Sequence, residues 1–402
     1  MKYVILGASA AGINAAYVLR MVDKDAEITI ISEDDRIYSK CIMHYYMSGK
    51  RSLDGLAFVA PDFMEKNQIE WKKGIRAVAI DTEKKEVALS DGNVQTFDKL
   101  LIATGSHSFM PPISGIDGAE NICGFHTLEE CQKLMKLSET AEHIVILGAG
   151  LVGVDVACGL LGMQKQVTMI DMKDHMLAIQ LDDVAAKTYQ ERFTECGIKQ
   201  YYNTSAASVE RGSDGNITAV VLQDGTKVIC DLLVIAAGVR ANVDFLKDTG
   251  IELDQKGLVI DKQGHTNIKD IYGAGDVTGK DLIWPVAVKE GVVAAMNMAG
   301  KESYMTDFFY GKSWMNFFDI PTLSYGIHDL PDDSYKQELQ EKNGNDYKRL
   351  IYKDEKVAGA ILQGDLSYAD VLTILIHDGI KLPDIEKNLL DYTGDDFIAP
   401  RN

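Results

Sequence analysis

Two glycine-rich segments carry the first chemical signal. Gly7-Ala8-Ser9-Ala10-Ala11-Gly12 is a G-x-G-x-x-G variant with Ser9 at the second glycine, and Gly148-Ala149-Gly150-Leu151-Val152-Gly153 is the complete pattern. The first glycine of such a motif permits a tight strand-to-helix turn, and the last lets helix and strand pack closely. The helix start then offers free N–H groups and a partial positive charge to a pyrophosphate. Glu33 and Asp171 each close an apolar run about 20 residues further on, where a carboxylate accepts hydrogen bonds from ribose hydroxyls. A carboxylate at Asp171 repels a 2′-phosphate, so this second site is expected to take NADH in preference to NADPH. One such motif is a weak signal. Here each copy follows a buried-strand pattern, opens a helical stretch and has its acid at the right distance.

The elements that position these residues repeat. KYVILG (2–7), a helix to about Val22 and EITIIS form one β-α-β unit; HIVILG (143–148), an amphipathic helix to about Met163 and QVTMID form another. Such units are right-handed with parallel strands. After each copy come a hairpin pattern, GIRAVAIDTEKKEVALSDG or SVERGSDGNITAVVLQDG, and a buried strand, KLLIATG or CDLLVIAAG. DIYGAGDVTG reads as a further strand that breaks at Gly273 and Gly275. The last hundred residues differ: WMNFFDIPTLSYGI and YKRLIYKDEKVAGAILQGD read as strands, the latter a hairpin, and DVLTILIHDGI as a helix. This is a separate α+β domain.

Composition excludes several classes. A formal net charge of −19 disfavours nucleic acid and anionic membrane surfaces as partners. No apolar run reaches the roughly 20 residues of a membrane span, and the first apolar stretch lacks a signal-peptide layout. The cysteines at 41, 123, 131, 158, 196 and 230 show neither C-x-x-C nor zinc-ligand spacing, so no metal site is expected and a reducing cytoplasm is the simplest location.

With these residues in place, residues 1–300 resemble the FAD/NAD(P)-dependent pyridine nucleotide oxidoreductase superfamily. Ala103-Thr104-Gly105-Ser106 resembles its A-T-G-x turn into the NAD domain, Ala236 to Asn242 its turn leading out, and Gly273-Ala274-Gly275-Asp276 its second FAD motif. The resemblance implies an α/β fold with two Rossmann-like, three-layer ββα domains of the glutathione-reductase type plus the small α+β domain. It implies FAD-binding residues at 1–109 and 237–303, an NAD-binding domain at 110–236 and the C-terminal domain at 304–402. FAD falls to Gly7, Ser9, Ala10, Ala11, Gly12 and Glu33, with Asp276 holding a ribityl hydroxyl and Val277 near the flavin. NADH falls to Gly148, Gly150, Leu151, Val152, Gly153 and Asp171. Val78, Ala103, Thr104, Gly105, Gly238 and Gly275 complete the cofactor-binding set, and Lys40 is expected against the flavin or its phosphates.

Tyr38-Ser39-Lys40-Cys41-Ile42-Met43-His44-Tyr45-Tyr46-Met47-Ser48-Gly49 is similar to the Y-S-R-P-x-L-x-x-x-x-S-G segment of NADH:rubredoxin reductases and of the N-terminal part of nitrite reductase large subunits. The siroheme and iron–sulfur cysteines of full nitrite reductases are absent. Cys41 replaces that segment's proline and aligns with the redox-active cysteine of coenzyme A disulfide reductases and NADH oxidases, although Ile42 and His44 depart from that motif. Asp155 replaces a glutamate near the nicotinamide path, and Ala10 and Ala11 stand where NADH peroxidases carry histidine. Cys41 is therefore either a thiolate supported by Lys40 and a helix N-terminus or a small residue filling the proline position. His44 reads as a pocket-edge residue or a proton-transfer group, and Trp284 as a flavin cover or an interdomain contact. Three functions follow: reduction of a protein carrier, rubredoxin-like or iron–sulfur, by NADH through FAD; a disulfide, persulfide or oxygen reductase using Cys41; or a flavin electron-transfer subunit of a larger complex. The C-terminal domain is a dimer surface in related families, so a homodimer is also implied.

Overall fold

The computed structural model describes residues 1–305, 311–342 and 346–381. The chain begins with strand β1 (Lys2–Leu6), helix α1 (Ala10–Val22) and strand β2 (Glu27–Ser32), then short helices α2 (Met43–Met47) and α3 (Phe63–Lys66) and strand β3 (Ile69–Lys73). Strands β4 (Ala77–Asp81), β5 (Glu86–Leu89), β6 (Val94–Thr96), β7 (Lys99–Ile102), β8 (Ser106–Ser108) and β9 (Ile122–Cys123) precede helix α4 (Leu128–Ser138). The second copy comprises β10 (His143–Leu147), α5 (Leu151–Leu160) and β11 (Gln166–Ile170). It continues through α6 (Asp183–Glu195), β12 (Lys199–Tyr201), β13 (Ala206–Arg211), β14 (Ile217–Leu222), β15 (Lys227–Ile229) and β16 (Leu232–Ile235). Strands β17 (Val239–Ala241) and β18 (Ile271–Gly273) and helix α7 (Trp284–Met298) follow. The chain ends in β19 (Ser313–Phe317), β20 (Ile320–Gly326), β21 (Lys336–Lys342), β22 (Asp346–Lys353), β23 (Lys356–Gln363) and α8 (Ala369–Asp378).

These elements form two compact units. Residues 1–110, 126–132 and 237–308 make the first, around a parallel sheet ordered β18-β7-β1-β2-β3. Four strands of that sheet are buried along nearly their whole length because both faces are covered; α1 and α7 pack on one side, and the antiparallel β4-β5-β6 sheet on the other. The second unit repeats this order as β12-β11-β10-β16-β9, with the β13-β14-β15 sheet against it. The α/β, three-layer reading thus holds. Both hairpin patterns gain a third strand, β6 and β15. The α5 helix stops at Leu160, short of Met163, and none of its residues is exposed, so it is a buried helix and not an amphipathic one.

The second unit also contains the C-terminal antiparallel sheet β19-β20-β23-β22-β21 with α8 on it. A buried polar network ties this sheet to α6. Asp182, the N-cap of α6, accepts from Ala185 N (2.9 Å) with one oxygen, and from Tyr347 Oη (2.6 Å) and Arg349 (2.8 Å) with the other. Tyr189 on α6 donates to Ile320 O (2.7 Å), and Gln363 donates to Ala185 O (3.1 Å). Removing one partner of a buried ion pair leaves the other charge uncompensated. Arg349→Met is therefore expected to destabilise the second unit by about 3–5 kcal/mol, read as a lowered midpoint in urea denaturation.

Candidate functional site

In the first unit, the turn after β1 is built by close backbone approach. Gly7 has φ +117°, and a Cβ there would lie 2.1 Å from Ala103 O; on Gly12 it would lie 2.0 Å from Gly7 O. Ser9 caps α1 without a side-chain cap bond, and the first turn of α1 carries no acid. Its positive end is left for an exogenous anion. Glu33 follows β2 directly and is exposed, with a 3.6 Å ion pair to Arg76. Gly275, at φ +81°, lies over the start of α1, its notional Cβ 3.2 Å from that of Ala11. The A-T-G-S turn is clasped by the turn at 236–242: Thr104 Oγ1 donates to Asn242 O (3.0 Å), Asn242 Nδ2 donates to Thr104 O (2.9 Å), and Gly238 O accepts from Phe109 N (2.9 Å).

Lys40, Asp276 and two residues outside the expected set converge in the same unit. Lys40 Nζ lies 3.0 Å from His126 Nε2, which lies 3.0 Å from Ser106 Oγ, and Ser106 donates to Asp276 Oδ2 (2.9 Å). Lys40 is half-buried, and burial pulls its pKa down; Asp276, Asp34 and Glu130 oppose that. Burial, with the Lys40 charge, pushes His126 down to about 3. Glu290, on α7, is a further buried acid. Burial raises it to about 7 while its carboxylate accepts from Gly275 N (2.7 Å). The histidine was not found from the sequence because it stands 86 residues from Lys40 in no local pattern. Ser106 lay inside the A-T-G-S turn, and Glu290 had only the charge break in an apolar helix to mark it.

Other expected residues take less direct places. Val277 is fully buried in the core with Leu6, Leu100 and Leu258, so its side chain packs inward. Val78 is exposed on β4 at a register shift between Ala77 and Ala79. Cys41 is exposed in the turn Lys40–Ile42, ahead of the five-residue α2. His44 is pushed down to about 4 by burial and Lys50, so it is uncharged at neutral pH. Trp284 packs edge-on against Phe58, 4.9 Å between centroids. Cys131 and Cys230 are buried, which pushes both thiols up to about 12.

The second unit repeats the glycine construction, and Gly150 caps α5 with open space where a Cβ would stand. Leu151 and Val152 begin α5 and Gly153 packs against Gly148 O. Asp171 faces this turn: Oδ2 accepts from Ala149 N (2.5 Å) and Oδ1 from Lys173 N (2.8 Å). Burial pushes Asp155, on α5, up to about 8.

Residues 1–291 match the pyridine nucleotide-disulphide oxidoreductase family model. The chain belongs to that family. Residues 313–380 match the rubredoxin NAD+ reductase C-terminal domain. The epsilon subunit of NADH-dependent phenylglyoxylate dehydrogenase of Aromatoleum evansii is 29% identical over 375 residues, 89% of this chain and 87% of that subunit. The assimilatory nitrate reductase electron transfer subunit of Bacillus subtilis is 26% identical over 90% of this chain, which spans 48% of that relative's length. The NADH:rubredoxin oxidoreductase structure from Clostridium acetobutylicum aligns with a TM-score of 0.78 and 26% identity over 96% of this chain and 97% of that one.

As a family member the protein is an NAD(P)H oxidoreductase and a flavoprotein, with FAD and NADH as its cofactors. The first unit fits FAD by its uncapped, acid-free α1 and its glycine turn, and the second fits a dinucleotide by the open space at Gly150. Bound FAD supplies the electron-transfer chemistry, and the protein supplies binding, orientation and electrostatics.

Two outcomes follow. Asp171→Ser should lower the NADH over NADPH ratio of kcat/KM by roughly 10- to 100-fold, measured as steady-state reduction of an artificial acceptor. The folded Glu290 carboxyl holds its proton up to about pH 7, whereas the unfolded one releases it near 4.5. Between those values the folded state binds the extra proton, so this group's contribution to stability falls as pH rises. Glu290→Gln, which keeps an acceptor for Gly275 N–H, should therefore gain on the wild type in thermal unfolding as pH climbs through that window.

Proposed function

We propose that the protein passes electrons from NADH through FAD to a small protein carrier, rubredoxin-like or iron–sulfur. On this reading the Gly7–Gly12 turn and the start of α1 take the FAD pyrophosphate, Glu33 its ribose and Asp276 its ribityl chain. The Gly148–Gly153 turn and Asp171 take NADH.

The observation that carries the reading is the C-terminal match at 313–380 to the domain of rubredoxin reductases. Cysteine geometry supports it: Cys41 has no second cysteine at C-x-x-C or C-x₄-C spacing, so a dithiol relay next to it is ruled out by composition. Surface charge supports it too. The chain is strongly acidic, yet residues 36–53 contain no acid; Arg36 pairs with Asp54 (3.0 Å) and the Lys40 ammonium is buried on His126, which leaves Lys50 and Arg51 as the surface cations. Lys50 and Arg51 are exposed, each 5.9 Å from the centre of the Tyr45 ring. Such a patch steers an acidic carrier that the net charge would otherwise repel. A second reading, a flavin subunit of a larger complex, is favoured by the similarity to the epsilon subunit across 87% of its length.

Anaerobic stopped-flow reduction by NADH, followed by oxygen, coenzyme A disulfide and rubredoxin, separates these. The carrier reading expects rubredoxin to be reduced fastest, at a rate that falls with ionic strength, with Cys41→Ser within about twofold of wild type. Loss of turnover in Cys41→Ser with intact flavin reduction would overturn it in favour of a thiol route. Co-purification with iron–sulfur subunits would favour the complex.

A further inference from the structure

The four-residue chain in the first unit has a proton arrangement that its geometry constrains. His126 Nε2 is 3.0 Å from both Lys40 Nζ and Ser106 Oγ, and Ser106 Oγ is 2.9 Å from Asp276 Oδ2. A single ring nitrogen offers one lone pair or one N–H. The Asp276 carboxylate only accepts, so the Ser106 O–H points to it. An ammonium only donates. With Lys40 charged, the consistent arrangement leaves the lone pair on Nε2 and the ring proton on Nδ1. With Lys40 uncharged or removed, the proton can occupy Nε2 and be donated to Ser106 Oγ, whose own hydrogen is already committed.

We propose that His126 is a positioning residue, which holds the Lys40 ammonium through a bare Nε2, while Ser106 gives its own hydrogen to Asp276. The proposal rests on the reading that Lys40 and Asp276 face the bound FAD. A second positive charge on the ring is disfavoured by burial, Lys40 and His107, so the histidine acts as a neutral acceptor. Around Lys40, the groups facing it are Asp276, Asp34, Glu130 and Cys41.

The histidine is itself held. Glu130 Oε2 accepts from His126 N (2.7 Å), Thr127 N (3.1 Å) and Ser108 Oγ (2.9 Å), and Tyr38 Oη accepts from Leu128 N (3.0 Å). Residues 126–132 pack within the first unit although their sequence neighbours on both sides belong to the second. The chain enters the first unit at this point carrying a capped turn whose leading side chain is the Lys40 acceptor.

The test uses FAD-loaded enzyme labelled with ¹⁵N-histidine, with the His126 signals identified by their loss in His126→Gln. Wild type should show an unprotonated Nε2, and Lys40→Met should move the ring proton to Nε2. In the same preparations His126→Leu should lower the flavin midpoint potential and slow flavin reduction by NADH about tenfold at unchanged NADH affinity, the scale of one charge-assisted hydrogen bond. His126→Gln, which keeps an acceptor, should recover most of both. A protonated Nε2 in wild type, or a tautomer indifferent to Lys40→Met, overturns the proposal, and neither readout depends on His126→Leu folding. A potential that moves in Lys40→Met but not in His126→Leu also overturns it. A potential unmoved in Lys40→Met instead overturns the placing of Lys40 at the flavin.

Discussion

Backbone contact too close for a side chain governs both nucleotide-binding halves. On Gly148 a Cβ would lie 2.2 Å from Ala236 O, and on Gly153 1.9 Å from Gly148 O, matching the contacts of Gly7 with Ala103 and of Gly12 with Gly7. These approaches set the helix start against the strand end, which is what aims N–H groups outward. The middle position of the motif is different. Nothing lies within 4 Å of a Cβ on Gly150, so packing within the fold does not require glycine there. Ser9 at the matching place therefore leaves the first turn intact.

The same constraint recruits the buried titratable groups. A Cβ on Gly291 would lie 2.3 Å from Ala11 O, so α7 must run hard against α1. Glu290, the residue before it, is thereby carried under Gly275, whose N–H it binds. Asp276 follows Gly275 and meets Ser106, which the A-T-G-S turn delivers from the end of β7. Of these groups Glu290 is buried, and burial raises its carboxyl to about 7.

Features with a local physical cause could be read from the residues. The glycine turns, the acids closing β2 and β11 and the apolar strands are short-range necessities. What escaped was set by distance or by edge position. His126 is brought to Lys40 by topology alone. The sequence KQELQEK of β21 carries no apolar alternation because, among the described residues, β21 is an edge strand paired only with β22, and charge on an edge strand discourages pairing with other chains. The α5 helix, expected to be amphipathic, has no exposed residue at all, because it packs inside its unit, a tertiary fact that no local pattern carries.

Donor and acceptor sites differ in how physics writes them into a chain. A dinucleotide must be cradled by backbone, so its recognition leaves glycines at fixed spacing. A protein carrier needs only to approach closely enough for an electron to cross, and surface charge that lowers the cost of encounter has no required spacing. Lys50 and Arg51 fit this second kind of signal: they are legible as two cations in an acid-free run, and their placing around Tyr45 gives that run a surface. Encounter with a carrier would thus depend on charge that salt can screen, whereas the glycine turns rest on backbone packing that salt does not alter.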